Sequence, residues 1–259
     1  MRTPSERRPA RASRRTALRT ALWTTAAGVA GLAVLAALVA TGIVWPSRIP
    51  AAAYDVRGVD VSHYQGEIDW DVLAAQDLDF AWIKATEGAS HTDPRFAESW
   101  AAATRTNLLV GAYHFMSFES PGADQAAHLA REVPATPGTL PPVIDLEFYG
   151  PYFDDPPETD EVRAILDPLV AGIEEHYGVP PVVYATEEAY DLYLAGRYPD
   201  LPVWIRSVAW TPRLSDGRDW TVWQYSNRDR LPGYDGVEAY IDLNVFAGTR
   251  EELAALTLP

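Results

Sequence analysis

Residues 141–148 read Pro-Pro-Val-Ile-Asp-Leu-Glu-Phe, and this stretch does most to indicate the fold. An apolar run that begins after turn-forming prolines is typical of a strand covered on both faces, as in a parallel sheet. Side chains alternate along a strand, so Asp145 and Glu147 lie on one face, about 6.6 Å apart along the strand. The stretch therefore predicts a buried strand that carries two carboxyl groups at its carboxyl end.

Similar apolar stretches occur on both sides of this one, and helical patterns lie between the early ones. Apolar residues spaced three and four apart predict helices at residues 69–76, 94–106 and 121–132. A longer helix is predicted from Thr159 or Asp160 to Gly178, with Pro168 either kinking it or shifting its start. Strands are predicted at residues 56–62, 80–86, 109–115, 143–148, 182–185, 203–206, 221–225 and 239–243.

The order of these elements predicts the fold class. Strands and helices in regular succession indicate parallel strands with crossover helices, and about eight strands suit a closed barrel. An open doubly wound sheet is the alternative, but no G-x-G-x-x-G turn follows the first strand. The last three strands leave little room for helices, so the barrel is expected to be incomplete on that side. The predicted class is α/β: a modified (β/α) barrel with about eight strands and fewer helices, preceded by one N-terminal apolar helix.

The N-terminal region is predicted to direct the protein to the membrane rather than to join the fold. Residues 1–20 are basic and are expected to be a disordered cytoplasmic segment, and residues 21–45 carry no charge. A helix of that length spans a bilayer core, and the arginines before it favour a cytoplasmic N-terminus. Residues 46–54 are predicted as a linker and residues 55–259 as the main folded domain.

Two interpretations of residues 21–45 stay open. The apolar stretch is longer than that of a typical cleaved signal, which favours an uncleaved anchor. Residues 13–18 (SRRTAL) resemble a twin-arginine export signal, and Ala51-Ala52-Ala53 offers small residues for cleavage. The protein is thus expected in the cell membrane with its main folded domain outside, or secreted if the signal is cleaved.

Composition narrows the range of functions. Residues 1–50 hold eight arginines and one acid, whereas the rest holds 13 basic and 35 acidic side chains. Such an acidic body repels phosphates, so nucleic acid is not an expected partner. The chain has no cysteine, no H-E-x-x-H and no G-x-S-x-G, so zinc, thiol and serine-hydrolase chemistry are unsupported. No cofactor or metal is expected, and oligomeric state is not predicted.

Acids at strand ends are the candidate catalytic residues. Asp60 ends the first strand and Asp242 the last, and closing a barrel brings those two strands together. Asp145 and Glu147 end the fourth strand. Carboxyl groups held close together cannot all ionise freely, so one pKa rises, and a neutral carboxylic acid can protonate a leaving oxygen. Paired acids of this kind are what glycosidic cleavage requires.

Polar and aromatic residues near the same strand ends are the candidate substrate-binding residues. Sugar rings present flat C–H faces that stack on aromatic planes, while their hydroxyls need polar partners. Lys84, the one lysine of the chain, would be costly to bury unpaired, so it is expected either to pair with a carboxylate at the mouth or to have a structural role. The candidates are Tyr64, Lys84, Tyr113, His114, Tyr184, Trp204, Trp223 and Tyr225.

Six ordered motifs between about Val56 and Thr249 resemble glycoside hydrolase family 25, the Chalaropsis-type lysozymes or N-acetylmuramidases. The motifs are Gly58-Val59-Asp60-Val61-Ser62 with Gln65-Gly66, Trp82-Ile83-Lys84-Ala85-Thr86-Glu87-Gly88, Gly111-Ala112-Tyr113-His114-Phe115, Val143-Ile144-Asp145-Leu146-Glu147, Trp223-Gln224-Tyr225 and Asp242-Leu243-Asn244-Val245-Phe246. The resemblance implies a modified β/α barrel that cleaves the β-1,4 bond from N-acetylmuramic acid to N-acetylglucosamine in peptidoglycan.

The same resemblance implies roles for the four acids. Glu147 would be the general acid/base, and Asp145 its partner, which orients the substrate or assists its 2-acetamido group. Asp60 and Asp242 would line the same mouth. Peptidoglycan glycan strands are the expected partner. The alternatives are a chitinase-like hydrolase of acetamido sugars and a non-catalytic glycan-binding protein of the envelope. The Pro-rich loop at residues 150–157 departs from the family pattern and is expected to reshape one end of the cleft.

Overall fold

The computed structural model describes residues 12–40 and 45–259 of the chain. Helix α1 spans Ala12–Ala40, so it begins inside the stretch predicted as disordered, and residues 12–20 correct that prediction. Residues 1–11 and 41–44, which complete the two predicted N-terminal segments, lie outside the described residues. Within α1, Ala17–Val39 is long and apolar enough to cross a membrane, a criterion that a signal sequence also meets.

Residues 46–259 form a separate unit built on a sheet. Eight of its strands close into a barrel, because β1 pairs with both β2 and β9, while β3 pairs only with the end of β2. The strands are β1 (Arg57–Val61), β2 (Phe80–Glu87), β3 (His91–Thr92), β4 (Leu109–Phe115), β5 (Val143–Leu146), β6 (Val182–Thr186), β7 (Val203–Arg206), β8 (Val222–Asp229) and β9 (Ile241–Phe246). The predicted barrel is confirmed.

The last strand runs against its neighbours. Strands β1, β2 and β4 to β8 pair in parallel, whereas β9 is antiparallel to both β8 and β1. Asp242 is therefore near the start of β9, not at a carboxyl end as the sequence indicated. Because β9 is reversed, its start lies at the mouth where the parallel strands end, directly opposite Asp60 in the register.

The helices cover one side of the barrel more than the other. They are α2 (Arg48–Ala51), α3 (Trp70–Ala74), α4 (Phe96–Ala103), α5 (Gly122–Glu132), α6 (Thr159–Tyr177), α7 (Glu187–Ala189) and α8 (Arg250–Ala254). No helix lies between β7, β8 and β9 in the described part of the chain. The sheet itself is closed there, and the crossover helices are missing on that side of the described unit, which agrees with the expected barrel of about eight strands and fewer helices.

Helix α6 follows the prediction at both ends. It begins at Thr159, after a capping box formed by Glu158 and Glu161, and it ends at Gly178 in the left-handed conformation with φ 75°. Pro168 lies within the helix and does not shift its start. The helix packs against α5 on the side of the barrel opposite the helix-free strands.

Large aromatic rings fill the lower barrel and form the floor beneath the mouth. Trp82 and Trp204 lie 5.0 Å apart between ring centroids, and Phe80 packs 5.2 Å from Trp82. Glycines make room for them: a Cβ at Gly58 would fall 2.2 Å from the Phe80 ring, and one at Gly111 2.3 Å from Trp82. This interior is a packed core, so a ligand has access only from the end where the acids lie.

The predicted linker is partly folded onto the barrel. Helix α2 lies within it, and Ala51 is buried. The Ser47 hydroxyl is fully buried and lies 2.7 Å from the carbonyl of Tyr225 and 2.9 Å from that of Val208. This segment contacts β8 on the side where crossover helices are missing, so the linker prediction is wrong for residues 47–51.

Substituting Ser47 by Ala in the full chain is expected to destabilise this unit by about 1–2 kcal/mol, because buried carbonyls lose their donor. For a domain of this size the thermal midpoint should fall by roughly 2–8 °C. Ile49→Ala, in the same helix but 79% exposed, is the matched control and should leave the midpoint unchanged. Equal midpoints for both variants, measured by calorimetry, would contradict a structural role for the segment.

Candidate active site

All four predicted acids line one cleft at the mouth of the barrel. Asp60 lies on β1, Asp145 on β5 with Glu147 just after it, and Asp242 on β9. The cleft has a volume of about 890 Å³, and a narrower inner pocket of about 90 Å³, also lined by all four acids, reaches down to Val143 and Trp204. Carboxyl groups distant in sequence therefore meet in one groove.

Asp60 is held by amide donors from two other strands. Asn244 donates through Nδ2 to Asp60 Oδ1 at 2.7 Å, and Gln224 donates through Nε2 at 3.0 Å. The Trp204 indole N–H donates to Asn244 Oδ1 at 2.9 Å, and the Tyr184 hydroxyl donates to Gln224 Oε1 at 3.0 Å. We call these five residues the Asp60 hydrogen-bond chain; it links β6, β7, β8, β9 and β1.

Asp242 and Asp60 form a hydrogen-bonded pair where β9 and β1 close the barrel. Loss of solvent raises the pKa of both, and the negative charge of Asp60 raises that of Asp242 further. Amide donors and the hydrogen bond from Asp242 stabilise the Asp60 carboxylate. The pKa of Asp242 is thus well above its ordinary value, and Asp242 is the member that carries the proton.

Asp145 and Glu147 form a second coupled pair. Asp145 is 8% exposed, and its Oδ1 has no hydrogen-bond partner among the described residues. Burial, and next the charge of Glu147, raise its pKa well above the ordinary value. Burial also raises the pKa of Glu147, Asp60 adds to this, and Arg206 and Lys84 oppose it. This pair therefore holds its protons to a higher pH than free carboxyl groups do.

Lys84 pairs with a cleft-lining acid, although not one of the four. Its Nζ lies 2.7 Å from Glu87 Oε2 and 4.9 Å from the centre of the Phe115 ring. The expected ion pair at the mouth is present, and its partner, Glu87, was not identified from the sequence.

Five of the eight predicted substrate-binding residues reach the cleft and three do not. Tyr64, Lys84, Tyr113 and Tyr184 line it, and Trp204 forms the floor of the inner pocket. His114, Trp223 and Tyr225 are buried in the outer layer, so they have no access to a substrate. The sequence prediction for these three is corrected by the structure.

Strand alternation explains the three exceptions. On β4, Tyr113 faces inward, so His114 faces outward, where its ring meets Thr86 Oγ1 at 2.8 Å and Gln125 Oε1 at 2.9 Å. Burial there lowers the pKa of His114 to about 4. On β8, Gln224 faces inward, so Trp223 and Tyr225 face outward.

The cleft also contains residues that the sequence analysis did not select. Side-chain alternation along β7 places Arg206 on the same inner face as Trp204, and alternation along β8 places Gln224 on the same inner face as Val222. This alternation could have been read from the sequence. Phe153 and Tyr240, which line the rim and are 69% and 37% exposed, lie on loops that no periodicity positions. Within the part the structure describes, no three His, Cys, Asp or Glu side chains are placed to hold a metal ion.

This arrangement can transfer a proton and bind a polar ring. Coupled acids with raised pKa values hold their protons to a higher pH than free carboxyl groups do, and exposed aromatic rings at the rim offer planar faces.

Comparisons with known proteins agree with this geometry. The sequence model described as "Glycosyl hydrolases family 25" matches residues 59–234. "Lysozyme M1" of Streptomyces globisporus is 31% identical over 225 residues, covering 80% of this chain and 73% of that protein. "Uncharacterized protein YegX" of Escherichia coli K12 is 35% identical over 213 residues, covering 80% and 75%. A solved family 25 glycosyl hydrolase from Bacillus anthracis is 50% identical, with a TM-score of 0.76 over 80% of this chain and 95% of that one.

Proposed function

Because the chain belongs to glycosyl hydrolase family 25, we propose that it cleaves the β-1,4 bond between N-acetylmuramic acid and N-acetylglucosamine in peptidoglycan. The observation that carries the proposal is the meeting of Asp60, Asp145, Glu147 and Asp242 in one cleft. Similarity to a lysozyme of Streptomyces supports the choice of bond. No feature of the cleft favours a chitinase-like or a purely binding role over this one.

Glu147 is the proton donor to the leaving oxygen. It is half-buried and lines the cleft, so a bound sugar can reach it, whereas Asp145 lies deeper. Its raised pKa keeps it protonated at a higher pH than a free glutamic acid, and substrate that displaces water raises that pKa further. After transfer, Glu147 is the carboxylate that accepts a proton from the incoming water.

Asp145 and the pair formed by Asp60 and Asp242 support this step. Asp145 offers its unpaired Oδ1 to a polar group of the substrate, such as the 2-acetamido group. Asp60, fixed by Gln224 and Asn244, keeps a negative charge close to the position where positive charge develops on the sugar ring. The amide donors fix the orientation of Asp60 before substrate arrives.

The test is product analysis with the full chain, in detergent, acting on intact sacculi. We expect soluble fragments whose new reducing ends are N-acetylmuramic acid, identified by borohydride reduction and mass spectrometry. New N-acetylglucosamine ends would assign a different bond. Tight binding without new reducing ends would instead assign the protein to the glycan-binding class.

We further propose that α1 stays attached as an anchor, with the catalytic domain outside the cell. The apolar span is long enough to cross a bilayer, and arginines precede it. Ala51, in the candidate cleavage site, is 3% exposed and packed in the core. A cut there would remove part of the folded unit. N-terminal sequencing of the membrane and secreted fractions tests this, and a mature protein that begins near residue 54 would contradict it.

Substituting Asp60 by Asn is expected to move the alkaline limb of the pH–activity profile to lower pH. Hydrolysis requires protonated Glu147, so activity falls as pH rises through the pKa of Glu147. The charge of Asp60 raises that pKa, so removing the charge lowers it. The measurement is kcat/KM against pH on sacculi, using the residual activity. Asp124→Asn, exposed on α5, is the control, and a limb that stays in place would refute the coupling.

Substituting Phe153 by Ala is expected to raise KM for glycan strands about 10-fold with little change in kcat, because a stacking surface away from the bond is lost. Pro151 and a 3₁₀ turn over Gly150–Phe153 hold the ring at the rim of the cleft. Trp210→Ala, which removes a 71% exposed ring outside the cleft, is the control and should leave KM unchanged. Equal KM values for both variants would contradict a role of the loop in binding.

A further inference from the structure

The cleft is strongly acidic, which makes its few positive groups decisive for an anionic ligand. Like charges inside a cleft with low-dielectric walls repel an approaching anion, so such a ligand needs a local cation. Two basic side chains line the cleft, Lys84 and Arg206. The acids that line it are Asp60, Glu87, Asp145, Glu147, Glu188, Glu238 and Asp242.

Of the two cations, Lys84 is already neutralised. Its ammonium group pairs with Glu87 at 2.7 Å and lies over the Phe115 ring. The ion pair uses one of its three N–H donors and offsets its charge, so Lys84 attracts an anion less than an unpaired cation would.

Arg206 differs, because its guanidinium group is not engaged. It is the last residue of β7, half-buried, and in register with Thr186 on β6 and Gln224 on β8. Among residues 12–40 and 45–259, no carboxylate lies within ion-pair distance of it, and its side chain makes no hydrogen bond. Its five N–H donors therefore remain available to a ligand in the cleft, which Glu147, Asp60 and Asp242 also line.

We propose that Arg206 binds a carboxylate of the substrate and so selects glycan strands that carry one over uncharged strands of N-acetylglucosamine. This rests on the proposed function and adds to it the basis of substrate choice. A guanidinium group matches a carboxylate with two parallel hydrogen bonds, which a lysine in the same place does not provide. The carboxylate is either the lactyl group of N-acetylmuramic acid, free where the peptide is absent, or a carboxylate of the attached peptide.

The experiment measures binding in the full chain with Glu147→Gln, which prevents turnover. Four ligands are compared by calorimetry: a peptide-free tetrasaccharide with two N-acetylmuramic acid units, its methyl ester, the same tetrasaccharide with peptides attached, and chitotetraose. We expect Arg206→Met to weaken binding of carboxylate-bearing ligands about 10-fold or more, and of the ester and chitotetraose less than twofold. Arg213→Met, which removes an exposed arginine outside the cleft, is the control.

The pattern across ligands decides the outcome. Loss confined to the peptide-free tetrasaccharide identifies the lactyl group, and loss confined to the peptide-bearing one identifies a peptide carboxylate; both support the proposal. Equal loss for all four ligands, or none, overturns it. An Arg206 that acts only by tuning Glu147 would shift the pH profile of hydrolysis in an otherwise native chain without changing these ratios. The proposed function fails separately, if the unsubstituted enzyme produces no N-acetylmuramic acid ends.

Discussion

Substituting Glu147 by Gln is expected to lower kcat on sacculi by about 10²–10⁴-fold, the contribution of a positioned proton donor. Gln keeps the size and polarity of the side chain but cannot release a proton to the leaving oxygen. Burial raises the pKa of Glu147, so its charged form is not favoured by the fold, and the loss of charge should leave the fold intact. Clearing of wall suspensions and counting of new reducing ends measure the effect.

The matched control is Glu175→Gln, the same change at an exposed position on α6. It should retain full activity and the same thermal midpoint. A Glu147→Gln variant that folds and remains fully active would reject Glu147 as the donor, and Asp145 would then be the acid to examine.

Substituting Asp145 by Asn is expected to reduce activity and increase stability together. Loss of a group that contacts the reacting sugar should lower kcat on the order of 10²-fold. The folded enzyme holds Asp145 at a pKa well above the ordinary 3.8, so folding becomes less favourable as pH rises from the unfolded pKa to the folded one. An asparagine side chain does not titrate, so it adds no such dependence of stability on pH. The variant should therefore have a higher thermal midpoint than the unsubstituted enzyme near neutral pH.

The sign of the pH dependence makes this prediction specific. Well below the unfolded pKa of about 3.9, Asp145 is protonated in both states, and the two midpoints should converge. As pH rises to 7, the gap should widen in favour of the variant. Asp77→Asn, whose side chain is 95% exposed, is the control and should show no such trend. A gap that is constant with pH would mean that packing, and not the buried charge, sets the difference.

The sequence predicts most of the barrel because its strands are nearly continuous apolar runs. The predicted bounds of β4 and β7 are those observed, and the other barrel strands differ by a few residues at their ends. The direction of β9 was not predictable from its pattern, since alternation reads the same in both directions and the missing crossover helix was the sole indication. β3 consists of two residues and is defined by pairing with β2, so no local pattern identifies it.

The acids of the site were easier to predict than the residues that bind around them. Asp60, Asp145 and Asp242 each interrupt an apolar strand, which is costly unless a site requires it. We selected His114, Trp223 and Tyr225 by residue type near a strand end. Strict alternation along β8 would have selected Gln224, which faces inward, in place of Trp223 and Tyr225. Phe153 and Tyr240 lie on loops whose path depends on tertiary packing. Sequence periodicity therefore does not predict which way their side chains point.

The bond between Asn244 and Asp60 joins residues 184 positions apart. Asp60 is one of the first residues of the barrel unit and β9 is its last strand. Until β9 is in place, Asp60 has neither the Asn244 amide donor nor Asp242 beside it. The group of four acids is therefore complete only when the last strand closes the ring.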